Sequence, residues 1–138
     1  MCRLELSEYF PSCLPAEFAP SCIGYPGRDC LAPRRGVFIK YAMRNAFDFA
    51  LASVAVILDH QGDGHRISRC AIVLGAVAAT PYRAREAEQV VAGNHLSDEV
   101  IDKAAQAAVL GAKPLALNEY KVGLVQKLVT EALQELRG

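Results

Sequence analysis

Gly75-Ala-Val-Ala-Ala-Thr-Pro-Tyr-Arg-Ala-Arg-Glu-Ala-Glu88 decides how this chain is read. An apolar run ends at Thr80-Pro81, where proline removes a backbone donor and stops strand pairing. A charged helical pattern opens on Arg83-Ala84 and runs to Ala92, with Gly93 placed to terminate it. The segment is a strand-to-helix junction. Strands therefore belong before it and helices after it.

Upstream, Ile67 to Ala78 reads as an apolar strand, with Gly75 marking a bulge or a close approach. His60-Gln-Gly62-Asp-Gly64-His65 reads as a hairpin turn, because its glycines suit positive φ. Phe49 to Leu58 reads best as a central strand, although periodicity alone leaves a helix open. Val37 to Tyr41 has the β-branched and aromatic content of a short strand. Downstream, Ser97 is placed to cap a helix with Asp98 and Glu99 in its first turn and Gly111 at its close. Asn118 is placed to cap the last helix, whose stripe runs Leu124, Val125, Leu128, Val129, Ala132, Leu133, Leu136. Strands followed by helices predict an α+β fold: a small antiparallel sheet covered on one face by three helices.

Residues 1–35 differ in character. They hold four of the five cysteines and five of the seven prolines, a density that argues against sustained helix or sheet. This part is expected to be an irregular arm or linker, with a single domain over 36–138. Cys2, Cys13, Cys22 and Cys30 include no closely spaced pair, which argues for free thiols over structural zinc. Fifteen basic and fifteen acidic side chains cancel, so charge offers no case for nucleic acid or an anionic membrane. The apolar run 49–58 is shorter than the roughly 18 residues that mark a membrane span, and the first residues lack a signal-peptide core. A cytoplasmic location is the resulting expectation.

Motifs for self-sufficient chemistry are missing. No glycine-rich dinucleotide or phosphate loop follows a strand. Ser53, Ser68 and Ser97 have no readable catalytic partners, and His60, His65 and His95 lack a third ligand for a metal. Cys70 reads as a small core residue. Glu86, Glu88, Asp98, Glu99 and Asp102 cluster where helix dipoles favour acids. No catalytic or metal-binding residues are therefore expected. The most interesting polar set is Lys40, Arg44 and Asp48, which could present charge to a ligand. Residue physics alone favours an ordinary surface loop with an Arg–Asp pair.

Three segments carry a resemblance. They are Ile39-Lys-Tyr-Ala-Met-Arg-Asn-Ala-Phe-Asp-Phe-Ala-Leu-Ala-Ser-Val-Ala55, Ile72 through Glu88, and Gly111-Ala-Lys-Pro-Leu-Ala-Leu-Asn-Glu-Tyr-Lys-Val122. In order and spacing they resemble the C-terminal domain of the FAD-binding medium subunit in the xanthine dehydrogenase/carbon monoxide dehydrogenase family of molybdenum hydroxylases. The resemblance implies an α+β domain that packs beside the flavin and mediates subunit contacts. Lys40 and Arg44 are then flavin-proximal. Implied partners are molybdenum-binding and iron–sulfur subunits, and FAD is implied in the full-length subunit. The upstream region that grips the FAD pyrophosphate in that family has no counterpart here. This chain is accordingly expected to bind no FAD by itself and to be inactive alone. Two alternatives stand beside this reading: a free-standing homodimeric interaction module, and a small cysteine-dependent redox or metal protein.

Overall fold

A computed structural model of the chain describes residues 2–5, 34–44, 48–60 and 66–137. The expected turn at 61–65 and the thiols of Cys13, Cys22 and Cys30 lie outside the described residues. Strands β1 (Cys2–Glu5), β2 (Arg34–Tyr41), β3 (Ala52–His60), β4 (Ile67–Gly75) and β5 (Tyr82–Arg83) form one sheet in that order. Every neighbouring pair is antiparallel. Helices α1 (Arg85–Val91), α2 (Asp98–Ala108) and α3 (Tyr120–Arg137) follow. The predicted α+β order is thus the observed one.

Period-two alternation builds the core. Val37 stands opposite Val56, and Val56 opposite Ile72. One pair further along, Ile39 faces Val54 and Val54 faces Leu74. All six side chains are buried, as the side-chain period of a strand requires when one sheet face is covered. The cover comes from α3, packed on β2 and β3, and from α1, packed on β4. Helix α2 packs on both other helices and bridges them. The stripe on α3 buries Val125, Leu128, Val129, Ala132, Leu133 and Leu136 at helical spacing.

Several boundaries differ from the sequence reading, each for a local reason. Strand β1 arises within the proline- and cysteine-rich segment and pairs with β2. Strand β3 starts at Ala52, so Phe49 falls outside it. Strand β4 stops at Gly75 because Ala76 takes φ +60°, a left-handed conformation that breaks the ladder. A side chain at Gly75 would bring its Cβ within 2.4 Å of the Ser53 hydroxyl, so this glycine marks a close approach. Gly93 follows α1 with φ +79°, the left-handed stop its position predicts. Ser97 caps α2 by accepting from the Val100 N–H at 3.4 Å. That helix ends at Ala108, ahead of Gly111. Asn118 does not cap α3 with its side chain. Its Oδ1 turns back to accept from the Leu115 N–H at 2.6 Å, and the Asn118 N–H donates to the Leu115 carbonyl at 3.0 Å.

Candidate functional site

The strand ends β2, β3 and β4 meet at one end of the sheet, where Tyr41 pairs with Ala52 and Ser53 with Gly75. The Leu51 N–H donates to the Tyr41 carbonyl at 2.8 Å and closes the β2–β3 connection. Lys40, the next-to-last residue of β2, is half-buried here. Its ammonium donates to the Asp48 carbonyl at 2.5 Å. The Arg44 Nε–H donates to Asp48 Oδ2 at 3.1 Å. Asp48 is therefore held twice, through its backbone by Lys40 and through its carboxylate by Arg44. The sequence singled out these three residues, and the fold brings them together. Arg44 is 82% exposed and Asp48 39%, so water screens their pair strongly. In the same stretch of chain Tyr41, Met43 and Phe49 are exposed apolar side chains.

Next to this loop lies the Gly75–Glu88 junction. After six residues of open turn, Tyr82 and Arg83 rejoin the sheet opposite Leu74 and Val73. The Ala84 N–H then donates to the Ile72 carbonyl at 2.9 Å. Glu88 completes the edge. Its Oε1 accepts from the Ile72 N–H at 3.0 Å and from Arg83 Nε–H at 2.8 Å. Both backbone groups of Ile72 on the outer side of β4 are thus satisfied, as a buried edge demands. Expected as a dipole-complementing acid, Glu88 is instead a sheet-edge cap, only 9% exposed. The signal was in the helical spacing: Ala84, Ala87 and Val91 are buried, and Glu88 shares their face.

Cys70 lies on β4 beside this cap. Burial first, and the Glu88 carboxylate second, push its thiol up to about 12, while Arg83 pulls the other way. A thiol so protonated is a poor nucleophile, which agrees with a core role. His60 ends β3, while His95 lies in the turn before α2; among the described residues no group of three or more His, Cys, Asp or Glu is placed to hold a metal. Among those residues, too, no helix is long and apolar enough to cross a membrane.

Lys40, Arg44 and the exposed apolar side chains give this end groups suited to binding. Residues 37–136 match the CO dehydrogenase flavoprotein C-terminal domain family, and the chain belongs to that family. It is 35% identical over 99 residues to the nicotine 6-hydroxylase medium subunit of Paenarthrobacter nicotinovorans. That match covers 67% of this chain and 33% of the relative, so the chain spans a third of the curated relative's length. The carbon monoxide dehydrogenase of Hydrogenophaga pseudoflava lacking the Mo-pyranopterin moiety superposes with TM-score 0.65 at 28% identity, over 73% of this chain and 36% of its own. The reconstituted CO dehydrogenase of Oligotropha carboxidovorans gives 0.66 at 26%, over 76% and 38%.

Proposed function

We propose that this chain serves as the C-terminal domain of the FAD-carrying medium subunit of a cytoplasmic molybdenum hydroxylase, with Lys40 and Arg44 facing the flavin. The observation that carries this reading is the Lys40–Asp48–Arg44 arrangement, at one end of a domain matched over residues 37–136 to a flavoprotein family. The residues present suit one edge of a flavin and not the whole cofactor. A half-buried ammonium and neighbouring aromatics can flank a ring, but no glycine-rich loop stands ready for the pyrophosphate. The flavin supplies electron transfer when bound. A cation beside it favours the reduced, anionic form and so raises its potential. Asp48 holds the Lys40 ammonium in place, and Arg44 holds Asp48.

In this reading 36–138 is the domain proper, and the segment before it contributes β1 and the first residues of β2 to its sheet. Molybdenum-binding and iron–sulfur subunits are the electron-transfer partners, and the domain is not catalytic alone. The test has two arms. The chain purified alone should carry no flavin absorbance; stoichiometric, tightly held FAD would contradict the reading. In an assembled medium subunit containing this domain, Lys40→Met should lower the flavin midpoint potential while Lys40→Arg largely preserves it. A potential indifferent to both would remove Lys40 from the flavin's surroundings.

A further inference from the structure

Lys40 belongs to a row of residues on the sheet face turned away from the helices. Ile39, Val54 and Leu74 form one register row, buried beneath the helices. The side-chain period of two turns the next row, Lys40, Ser53 and Gly75, to the opposite face. All three are half-buried. Phe38, Ala55 and Val73 make the following row on that same face and are half-buried too. Residues directly opposite one another in a sheet stand about 5 Å apart at Cβ, so one ligand can reach Lys40 and Ser53 together.

Two backbone features keep the Ser53 hydroxyl accessible. Gly75 is the first. A Cβ there would come within 2.4 Å of Ser53 Oγ, and among the described residues the other atom it would meet is Ser53 Cβ at 3.8 Å. A side chain at 75 would therefore turn the hydroxyl out of its place and leave the backbone alone. Ala76 is the second. It takes φ +60°, and Lys121 Nζ donates to its carbonyl at 3.0 Å. The ladder thus stops at Gly75, and α3 pins the turn that follows. Backbone strain of this kind collects beside ligand sites. Among the described residues the Ser53 hydroxyl has no hydrogen-bond partner. The Lys40 ammonium bonds the Asp48 carbonyl and keeps further donors to offer. A small anion would need only the ammonium. A planar ring with carbonyls along one edge uses everything present: its edge meets the polar row and its face lies on the apolar one.

We infer that Ser53 is a second ligand-contacting residue of the Lys40 site: its hydroxyl, left open by Gly75, donates to a carbonyl on the pyrimidine edge of the flavin. This rests on the reading above and adds to it a donor on a neighbouring strand. Gly75 is then the clearing that the hydroxyl needs, and not only the end of a strand.

The test titrates the full 138-residue chain with millimolar FMN and follows amide NMR shifts, which give both the site and the dissociation constant. Binding is expected to be weak, because the domain holds one edge of the ring. The amides of Lys40, Ser53 and Gly75 should move together. Ser53→Ala should weaken binding about fivefold, the worth of one neutral hydrogen bond. Gly75→Ala should weaken it equally by displacing the hydroxyl, and the double variant should bind no more weakly than either single one. Urea unfolding of Ser53→Ala should match the parent, which separates a lost contact from a lost fold. If Lys40→Met weakens binding and Ser53→Ala does not, the inference falls while the flavin-facing end stands. If FMN moves none of these amides, or neither substitution changes its binding, both fall. If inorganic phosphate alone produces the same shifts, the row is holding the phosphate tail and the inference falls.

Discussion

Two arginine–carboxylate pairs of nearly equal sequence separation serve opposite purposes. Arg44 and Asp48 are four residues apart in an open connection, and their pair faces water. Arg83 and Glu88 are five apart across the strand-to-helix junction, with Glu88 buried and also capping the Ile72 N–H. The difference lies in what else the carboxylate holds. The Asp48 carboxylate is partly exposed and its arginine partner faces water, so losing the pair returns both charges to solvent. Removing Glu88 strands a buried backbone donor and releases β5 from α1. An ion pair's worth is thus set by the groups left behind.

The sharpest way to break this contrast is Glu88→Ala. It should destabilise the domain by about 2–3 kcal/mol in urea unfolding, since a charge-assisted bond and a buried N–H partner go together. Glu88→Gln keeps an acceptor for Ile72 and should cost about half as much. Equal costs for the two substitutions would mean that the edge cap carries none of the effect. Double-mutant cycles come next. Arg83→Met with Glu88→Gln should show a coupling of about 1 kcal/mol, barely changed by salt. Arg44→Met with Asp48→Asn should couple by about 0.5 kcal/mol or less, and salt should erase it.

Cys70 reports on the buried region without perturbing it. Its thiol should resist alkylation in the folded chain at neutral pH and react at the ordinary rate in denaturant. The pH dependence has a definite sign. The folded value, about 12, lies above the unfolded 9.0, so the thiol's contribution is complete below pH 9 and is lost as pH climbs from 9 toward 12. Cys70→Ala should therefore lose stability less steeply than the parent above pH 9, measured as the difference between the two unfolding curves. The smallest expected effect belongs to the exposed region. Arg44→Ala alone should shift stability by about 0.5 kcal/mol or less. A loss above 1 kcal/mol would show that the 42–50 loop supports the fold and is not only a presented surface.

Much of the architecture was legible because its signals are local. Alternation in residues 52–58, the stripe from Val125 to Leu136, the Ser97 cap and the Gly93 stop each act over one or two turns of chain. Lys40, Arg44 and Asp48 were legible as a set because they lie within nine residues. The roles of Glu88 and Asn118 were not. A carboxylate in a helix's first turns looks like dipole complementation until a strand donor sixteen residues away is placed against it. An asparagine before a helix looks like a cap until its amide oxygen turns back to Leu115.

By itself the sequence determined the order and kind of the elements from β2 onward, apart from the two-residue β5, and, through three spaced segments, the family. Periodicity, caps and turn residues carry that information along the chain. Only the tertiary structure decided that Glu88 closes a sheet edge and that Asp48 is held by two cations. Those facts depend on burial and on contacts between elements. Burial sets the cost of every unpaired donor and charge, and it exists only once strands and helices have packed.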